Sequence, residues 1–389
     1  LHGINIVTNP KKPSLELKSM KCVVPIRINF GDALLLQKLY DFLYFYKVPR
    51  KIKKENEEPE TVKVNSLFKT LYIPYDWNIE GKELTEYTQS AGPVYYIRTG
   101  MGASFSILDY DVIMPFEDQI ELEIENVLEK QYKDKTTEEL KFWEYPTLNN
   151  LKALEGYIDY IFFSYKLSRS YFEDNVKADA GLPKNVINLI QLSKGAFYNW
   201  FKKGNELEIR SIISKLTMDI ICEYADNAGD LENYYRLVDM MNLRIALLKY
   251  FDLGGDVLKK DINELKVKLE NILYDSEELS LDNDKEFFYL AGQLAYFISA
   301  KDGSLNKKLG ASRKYLHTKT VSDMKDVLIS TYEKYSHKIS MYDIWFKKLF
   351  DLIINYTSDG LLKKNKDFFL AGFLSENLLF QPRTKEKAK

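Results

Sequence analysis

Cysteine is nearly absent: the 389 residues hold only Cys22 and Cys222, far apart and in unlike contexts. That leaves no basis for a disulfide framework or a thiolate metal site, and makes a reducing compartment the default. Histidine is as scarce. His2, His317 and His337 are the only three, none in His-x-x-x-His spacing, so zinc chemistry has almost no ligands to draw on. No run of about 18 apolar residues occurs, and the N-terminus lacks the basic flank and apolar core of a signal peptide. The expected location is the cytoplasm, with no membrane partner. The chain opens at Leu1 in what reads as mid-strand, like a fragment or joined segments of a longer protein. Glycine is low as well, 18 in all, and beside 28 Tyr and 22 Phe it describes an aromatic, loop-poor chain whose composition favours helix.

What is present is enough apolar content, 45%, to bury a sizeable core in two or three domains. The net charge of −2 hides a segregation. Lys285 to Lys389 carries 19 Lys plus Arg against 11 Asp plus Glu, a net of +8, leaving −10 for the residues before it. A polyanion is drawn to the C-terminal third and repelled by acidic stretches such as Glu117 to Glu129.

The expected fold class is α+β, predominantly helical: a mixed N-terminal region with short strands, then a helical region ending in a C-terminal helix bundle. Residues 1 to 30 read as extended, with Pro10, Pro13 and Pro25 breaking any helix. Asp32 reads as the cap of a helix through Tyr46, and Lys47 to Glu60, basic then acidic, as an exposed loop. Leu71 to Pro74 reads as a strand. Val94 to Arg98 and Phe105 to Asp109 flank a glycine-containing tip and read as a hairpin. After Pro115 the pattern turns helical, with helices expected at about 117 to 133, 148 to 173, 184 to 203, 206 to 227, 231 to 250, 256 to 275, 284 to 300, 321 to 336, 340 to 356 and 365 to 380. Thr147, Asp230 and Asp284 read as caps; Pro183 opens one helix and Gly204 closes it. The expected domains are 1–116, 117–283 and a basic bundle, 284–389. No short period repeats three times, which favours an irregular bundle over a solenoid.

One internal echo stands out. Lys285-Glu286-Phe287-Phe288-Tyr289-Leu290-Ala291-Gly292 returns as Lys366-Asp367-Phe368-Phe369-Leu370-Ala371-Gly372. Ala and Gly lower a helix surface and let another backbone approach, so the two helices are expected to pack in equivalent ways.

Catalytic signals are weak. Asp109 and Asp111 share a strand face, a pattern that would hold a divalent cation only if other carboxylates converged. Gly100-Met101-Gly102 lacks the third glycine and following helix of a dinucleotide site; it reads as a hairpin tip beside Arg98, able to approach a DNA groove. The strongest local signal is Lys301 to Lys319. Lys301, Lys307, Lys308, Arg313, Lys314 and Lys319 stand against Asp302 alone, which suits phosphate contacts, and Tyr315 is placed to stack on an unpaired base. Lys347, Lys348, Lys363, Lys364 and Lys366 extend the patch if the bundle folds back on itself.

Three stretches carry a family likeness: Phe288-Tyr289-Leu290-Ala291-Gly292-Gln293-Leu294-Ala295-Tyr296, Lys334-Tyr335-Ser336-His337 and Phe369-Leu370-Ala371-Gly372-Phe373-Leu374-Ser375. With them the segment from Asp284 to Phe380, about a quarter of the chain, resembles the C-terminal region of the large subunit of the CRISPR type I-B Cascade surveillance complex. The resemblance implies a non-catalytic subunit that helps recognise the motif beside the target, holds the opened DNA strands and offers a platform to a helicase-nuclease. Its implied partners are CRISPR RNA, target DNA and other Cascade subunits; no cofactor is implied. The competing expectation is a helical scaffold whose basic end docks acidic protein partners, and the third is a metal-dependent nuclease using Asp109 and Asp111.

Overall fold

The computed structural model describes residues 29–52, 60–75, 92–101, 105–134, 136–178, 181–227, 231–274, 280–301, 312–340 and 343–380. The chain divides into two compact units, Leu1–Phe116 and Glu117–Lys389. The extended structure read before Asn29, and the cap at Asp230, lie outside the described residues.

The first unit sets one helix on a small sheet. Helix α1, Phe30–Phe45, is capped by Asn29, whose side chain accepts the Asp32 amide at 2.8 Å, so the cap falls three residues earlier than Asp32. Strands β1, Val48–Ile52, and β2, Glu60–Val64, pair antiparallel inside the stretch expected to be loop. The β-branched residues Val48, Ile52, Val62 and Val64 favour that pairing over open loop. Strands β3, Thr70–Pro74, β4, Val94–Met101, and β5, Phe105–Ile113, form an antiparallel sheet in that order. Leu43, Leu71, Ile97 and Phe105 make its core. Lys69 is 1% exposed, and its ammonium donates to the carbonyls of Leu43 and Tyr44, closing the C-terminal end of α1 onto the sheet.

The second unit opens with strands, the first two of them where a helix was expected over 117–133. They are β6, Gln119–Glu123, β7, Gln131–Lys133, β8, Leu140–Phe142, and β9, Thr147–Asn150, with β6 pairing β9 and β7 pairing β8. From Gln119 to Glu125 acidic or polar residues alternate with Ile120, Leu122 and Ile124, a period of two that buries Leu122 and Ile124. Helix α2, Leu151–Phe163, starts at the Asn150 cap rather than at Thr147, which lies in β9. It ends ten residues before the expected boundary, where Ser164 and Tyr165 take φ of 50° and 63°.

The remaining helices fall near their expected positions: α3, Lys184–Lys203, α4, Leu207–Asn227, α5, Leu231–Tyr250, α6, Gly255–Tyr274, and α7, Asp284–Ala300. Next come α8, Arg313–Leu316, a single turn inside the stretch expected to be a basic loop, then α9, Val321–Tyr335, α10, Ile344–Asn355, and α11, Leu362–Leu374, which ends six residues before its expected boundary. Pro183 precedes α3 and Gly204 closes it in the left-handed region, φ 69°. Asn283, not Asp284, caps α7; the Asp284 carboxylate instead accepts the Tyr356 hydroxyl at 2.9 Å. The helices on either side of residue 284 belong to the same compact unit, Glu117–Lys389. Among the described residues no helix is long and apolar enough to cross a membrane.

Helix α7 is buried nearly all round, which makes it the axis of the bundle. Its echo partner, α11, packs directly on it. A Cβ on Gly292 would meet the Phe369 carbonyl oxygen and stand 2.6 Å from the Phe373 nitrogen; one on Gly372 would meet the Tyr289 carbonyl, 2.8 Å from its carbon. Gln293, 1% exposed, then latches the crossing. Its side chain donates to the Gly372 carbonyl at 2.6 Å and accepts the Leu378 amide at 3.0 Å, while Asn377 donates to the Gln293 carbonyl at 2.7 Å. Because backbone rather than a flexible side chain meets the added methyl, Gly292→Ala and Gly372→Ala are each expected to cost about 3 kcal/mol or more of stability. Gly156→Ala in α2, with open space at its Cβ, is expected to be neutral or to gain up to about 1 kcal/mol. Chemical denaturation of the three variants checks both signs.

Candidate nucleic-acid interface

Of the cations expected to act together, Arg313, Lys314, Lys319, Lys363 and Lys364 are carried by three short pieces of chain: α8, the approach to α9, and the first turn of α11. α8 is one turn long and docks by its inner side. The Ser312 hydroxyl donates to the Ala225 carbonyl of α4 at 3.2 Å, and Tyr315 and Leu316 are buried, 0% and 8% exposed. Arg313 and Lys314 are left on the outside. The Lys314 ammonium also donates to the Thr331 hydroxyl of α9 at 2.7 Å.

Tyr315 therefore does not stack on a base. Its ring lies 6.1 Å from that of Phe369 in the core, and burial pushes its phenol up to about 12. A single turn that must anchor between α4 and α11 needs an apolar foot, and Tyr315 supplies it.

Lys319 is fixed by the start of α9. The Thr320 hydroxyl accepts the Asp323 amide, and the Asp323 carboxylate accepts the Lys319 and Thr320 amides, all at 3.1 Å, a reciprocal capping box. Thr320 also forms an antiparallel bridge with Leu361, the Lys319 carbonyl accepting the Leu362 amide at 2.9 Å and the Gly360 carbonyl the Val321 amide at 3.1 Å. The bridge brings exposed Lys319 beside exposed Lys363 and Lys364. Among the described residues no carboxylate lies within ion-pair distance of Arg313, Lys319, Lys363 or Lys364. Lys319, Lys363 and Lys364 thus form a ridge of exposed cations, with Arg313 on the helix before it and the Asp323 carboxylate beside the Lys319 backbone.

The other expected members are placed differently. Lys301 ends α7 with its ammonium 4.8 Å from the Phe297 ring and 5.6 Å from the Phe380 ring. Lys307 and Lys308 lie outside the described residues. Lys366 turns inward, 3.7 Å from the Cys222 sulfur. Arg98 belongs to the other compact unit, donating to the Thr70 hydroxyl at 2.6 Å and standing in register with Asp109. Gly100 is not at a tip: it is buried in β4 opposite Ser106, where a Cβ would collide with Leu108. Gly102 lies outside the described residues. The Asp111 carboxylate accepts the Val112 amide at 2.8 Å, and among the described residues no group of three or more His, Cys, Asp or Glu is arranged to hold a metal ion.

Beside the ridge opens a cleft of about 380 Å³ lined by Asp219, Cys222, Glu223, Asp226, His317 and Lys366, among others. His317 Nε2 stands 3.4 Å from Asp226. Burial raises the Cys222 thiol more than Lys366 lowers it, the reverse of an activated nucleophile.

The bridge between Thr320 and Leu361 was not readable in advance, because the two residues are 41 positions apart. The capping box was: Thr320-Val321-Ser322-Asp323 carries its spacing. The amides of Lys319 and Thr320, and then the Thr320 hydroxyl, hold the Asp323 carboxyl below its ordinary 3.8. A carboxyl depressed on folding stabilises the fold above its unfolded pKa and loses that contribution as the pH falls through the folded one. Asp323→Ala is thus expected to melt below the parent at pH 7, with the gap closing below about pH 4. Thermal melts at pH 7, 5 and 3 check it; a gap independent of pH would remove the ionised cap.

No family model, curated protein or solved structure matches the chain.

Proposed function

We propose that this chain is a non-catalytic nucleic-acid-binding subunit, of the kind found as the large subunit of a type I-B Cascade complex, which it resembles between Asp284 and Phe380. What carries the reading is the ridge: three exposed cations, two of them on the first turn of α11 and drawn beside the third by a backbone bridge, with no ion pair among the described residues. Cations so placed displace counterions from a polynucleotide backbone, a gain that depends on phosphate spacing and not on base identity. In an RNA-guided complex base pairing reads the target, and such a ridge would favour the opened strands over reannealed duplex. Recognition of the adjacent motif and recruitment of a helicase-nuclease belong to the same proposal by resemblance alone.

The combined variant Lys319→Ala, Lys363→Ala, Lys364→Ala is expected to weaken DNA binding and to reduce the slope of log affinity against log salt by roughly 2. Fluorescence anisotropy on the full chain, and on the complex it assembles into, reads both quantities. Unchanged affinity and slope reject the ridge as the binding surface. A scaffold that docks acidic proteins would instead purify without nucleic acid, with a low 260/280 absorbance ratio and no sensitivity to nuclease.

A further inference from the structure

Helix α1 is apolar on both sides. Its inner side is accounted for: Leu39, Phe42, Leu43 and Tyr46, at steps of three, one and three, lie on the core of the small sheet. The opposite side carries Phe30, Leu34, Lys38, Asp41 and Phe45, at steps of four, four, three and four, which sets them in one line along about 24 Å of helix. Phe30, Leu34 and Phe45 are 62%, 45% and 66% exposed, and Lys38 and Asp41 are exposed with them. Leu35, 65% exposed, widens the line on one flank.

A helix face that stays in water is ordinarily made of charge, yet Asp32, Lys38 and Asp41 are the only charged residues of α1. Scattered apolar side chains on a surface need no explanation. A continuous line of them on one helix has the composition of an interface.

The order of residues along the line says what fits it. Apolar side chains stand towards its ends, and one cation and one anion stand at its centre. Leu34 and Phe45 are equally far from the midpoint between Leu39 and Tyr40, and so are Lys38 and Asp41. When a second copy of α1 is laid antiparallel on the first about a twofold axis at that midpoint, Leu34 therefore meets Phe45 of the copy and Lys38 meets Asp41 of the copy, each contact occurring twice. Gln37, donating to Asp41 Oδ1 at 2.9 Å, holds that carboxylate on the line. A parallel pairing would set Lys38 on Lys38 and Asp41 on Asp41, so the same two charges that favour the antiparallel register reject the other.

We infer that a second copy of this chain covers the outer face of α1, the two helices lying antiparallel about a twofold axis between Leu39 and Tyr40. A face about 24 Å long and about 10 Å wide falls short of the roughly 800 Å² per partner of a stable interface, so the dimer is a dissociating one whose population rises with concentration. The inference does not rest on the nucleic-acid reading, since α1 and the ridge belong to different compact units.

Sedimentation velocity on the full chain, from about 1 to about 100 μM, tests it. The parent is expected to pass from monomer to dimer within that range. Lys38→Glu sets carboxylate against carboxylate at both symmetric contacts, and Asp41→Lys sets ammonium against ammonium; each variant alone is expected to dimerise about tenfold or more weakly. Mixed in equal amounts the two variants are complementary again and are expected to restore the parent's dimer. Leu34→Glu with Phe45→Glu is expected to abolish it, and because both side chains are already solvated, an unaltered circular dichroism melt controls for misfolding. A parent that stays monomeric at about 100 μM overturns the inference, as does a dimer that the charge reversals or the double Glu variant leave unchanged. If each reversal weakens the dimer and their mixture stays monomeric, the antiparallel register is wrong and the inference falls with it.

Discussion

The reciprocal seating of Gly292 against residue 369 and Gly372 against residue 289 is the contact on which the arrangement of the larger unit depends. Both approaches are backbone on backbone, and both are related by the same shift along the chain, so the echo is an approximate twofold packing of α7 on α11. Removing two side chains lets the helices approach at a distance no other residue permits, and the dispersion gained along the contact replaces what the side chains would have supplied. The Gln293 latch then satisfies carbonyls that this closeness shields from water. The crossing also determines where α11 begins, and so it presents Lys363 and Lys364 beside Lys319.

Charge is handled differently inside and outside. In the interior, cations and acids are matched: Arg244, 4% exposed, grips Asp367 at 2.8 and 3.0 Å, Lys268 meets Glu286 at 2.7 Å, and Lys130 meets Asp239 at 2.6 Å. Such pairs contribute less to net stability than to a unique arrangement, since desolvation offsets much of their attraction. Asp367 and Glu286 are thereby withdrawn from the C-terminal surface although they count in its charge total. Lys285, paired with Asp261 at 2.6 Å, and the inward Lys366 are withdrawn too, so the two effects offset each other.

Much of the helical framework was legible. The spacing of apolar residues places α3 to α7, α9 and α10 within a few residues, because each helix buries one face or more and period 3.6 survives in the letters. The misreading of 117–133 has an equally local cause: many acidic side chains mimic a solvated helix, yet Ile120, Leu122 and Ile124 alternate with them at period two. The hairpin of β1 and β2 was hidden by the run of charges between its strands.

The candidate site divides along the same line. By itself the sequence determined which residues could form the elements, that Gly292 and Gly372 needed close neighbours, and that positive charge gathers after residue 285, because propensity, side-chain size and formal charge are properties of each residue. Only the tertiary structure decided that the two glycines meet each other, that Thr320 bridges Leu361, that Tyr315 faces the core and that Leu34 and Phe45 face solvent. Those outcomes depend on contacts between segments far apart in the chain, and which face of a short helix is buried is settled by its neighbours rather than by its own letters.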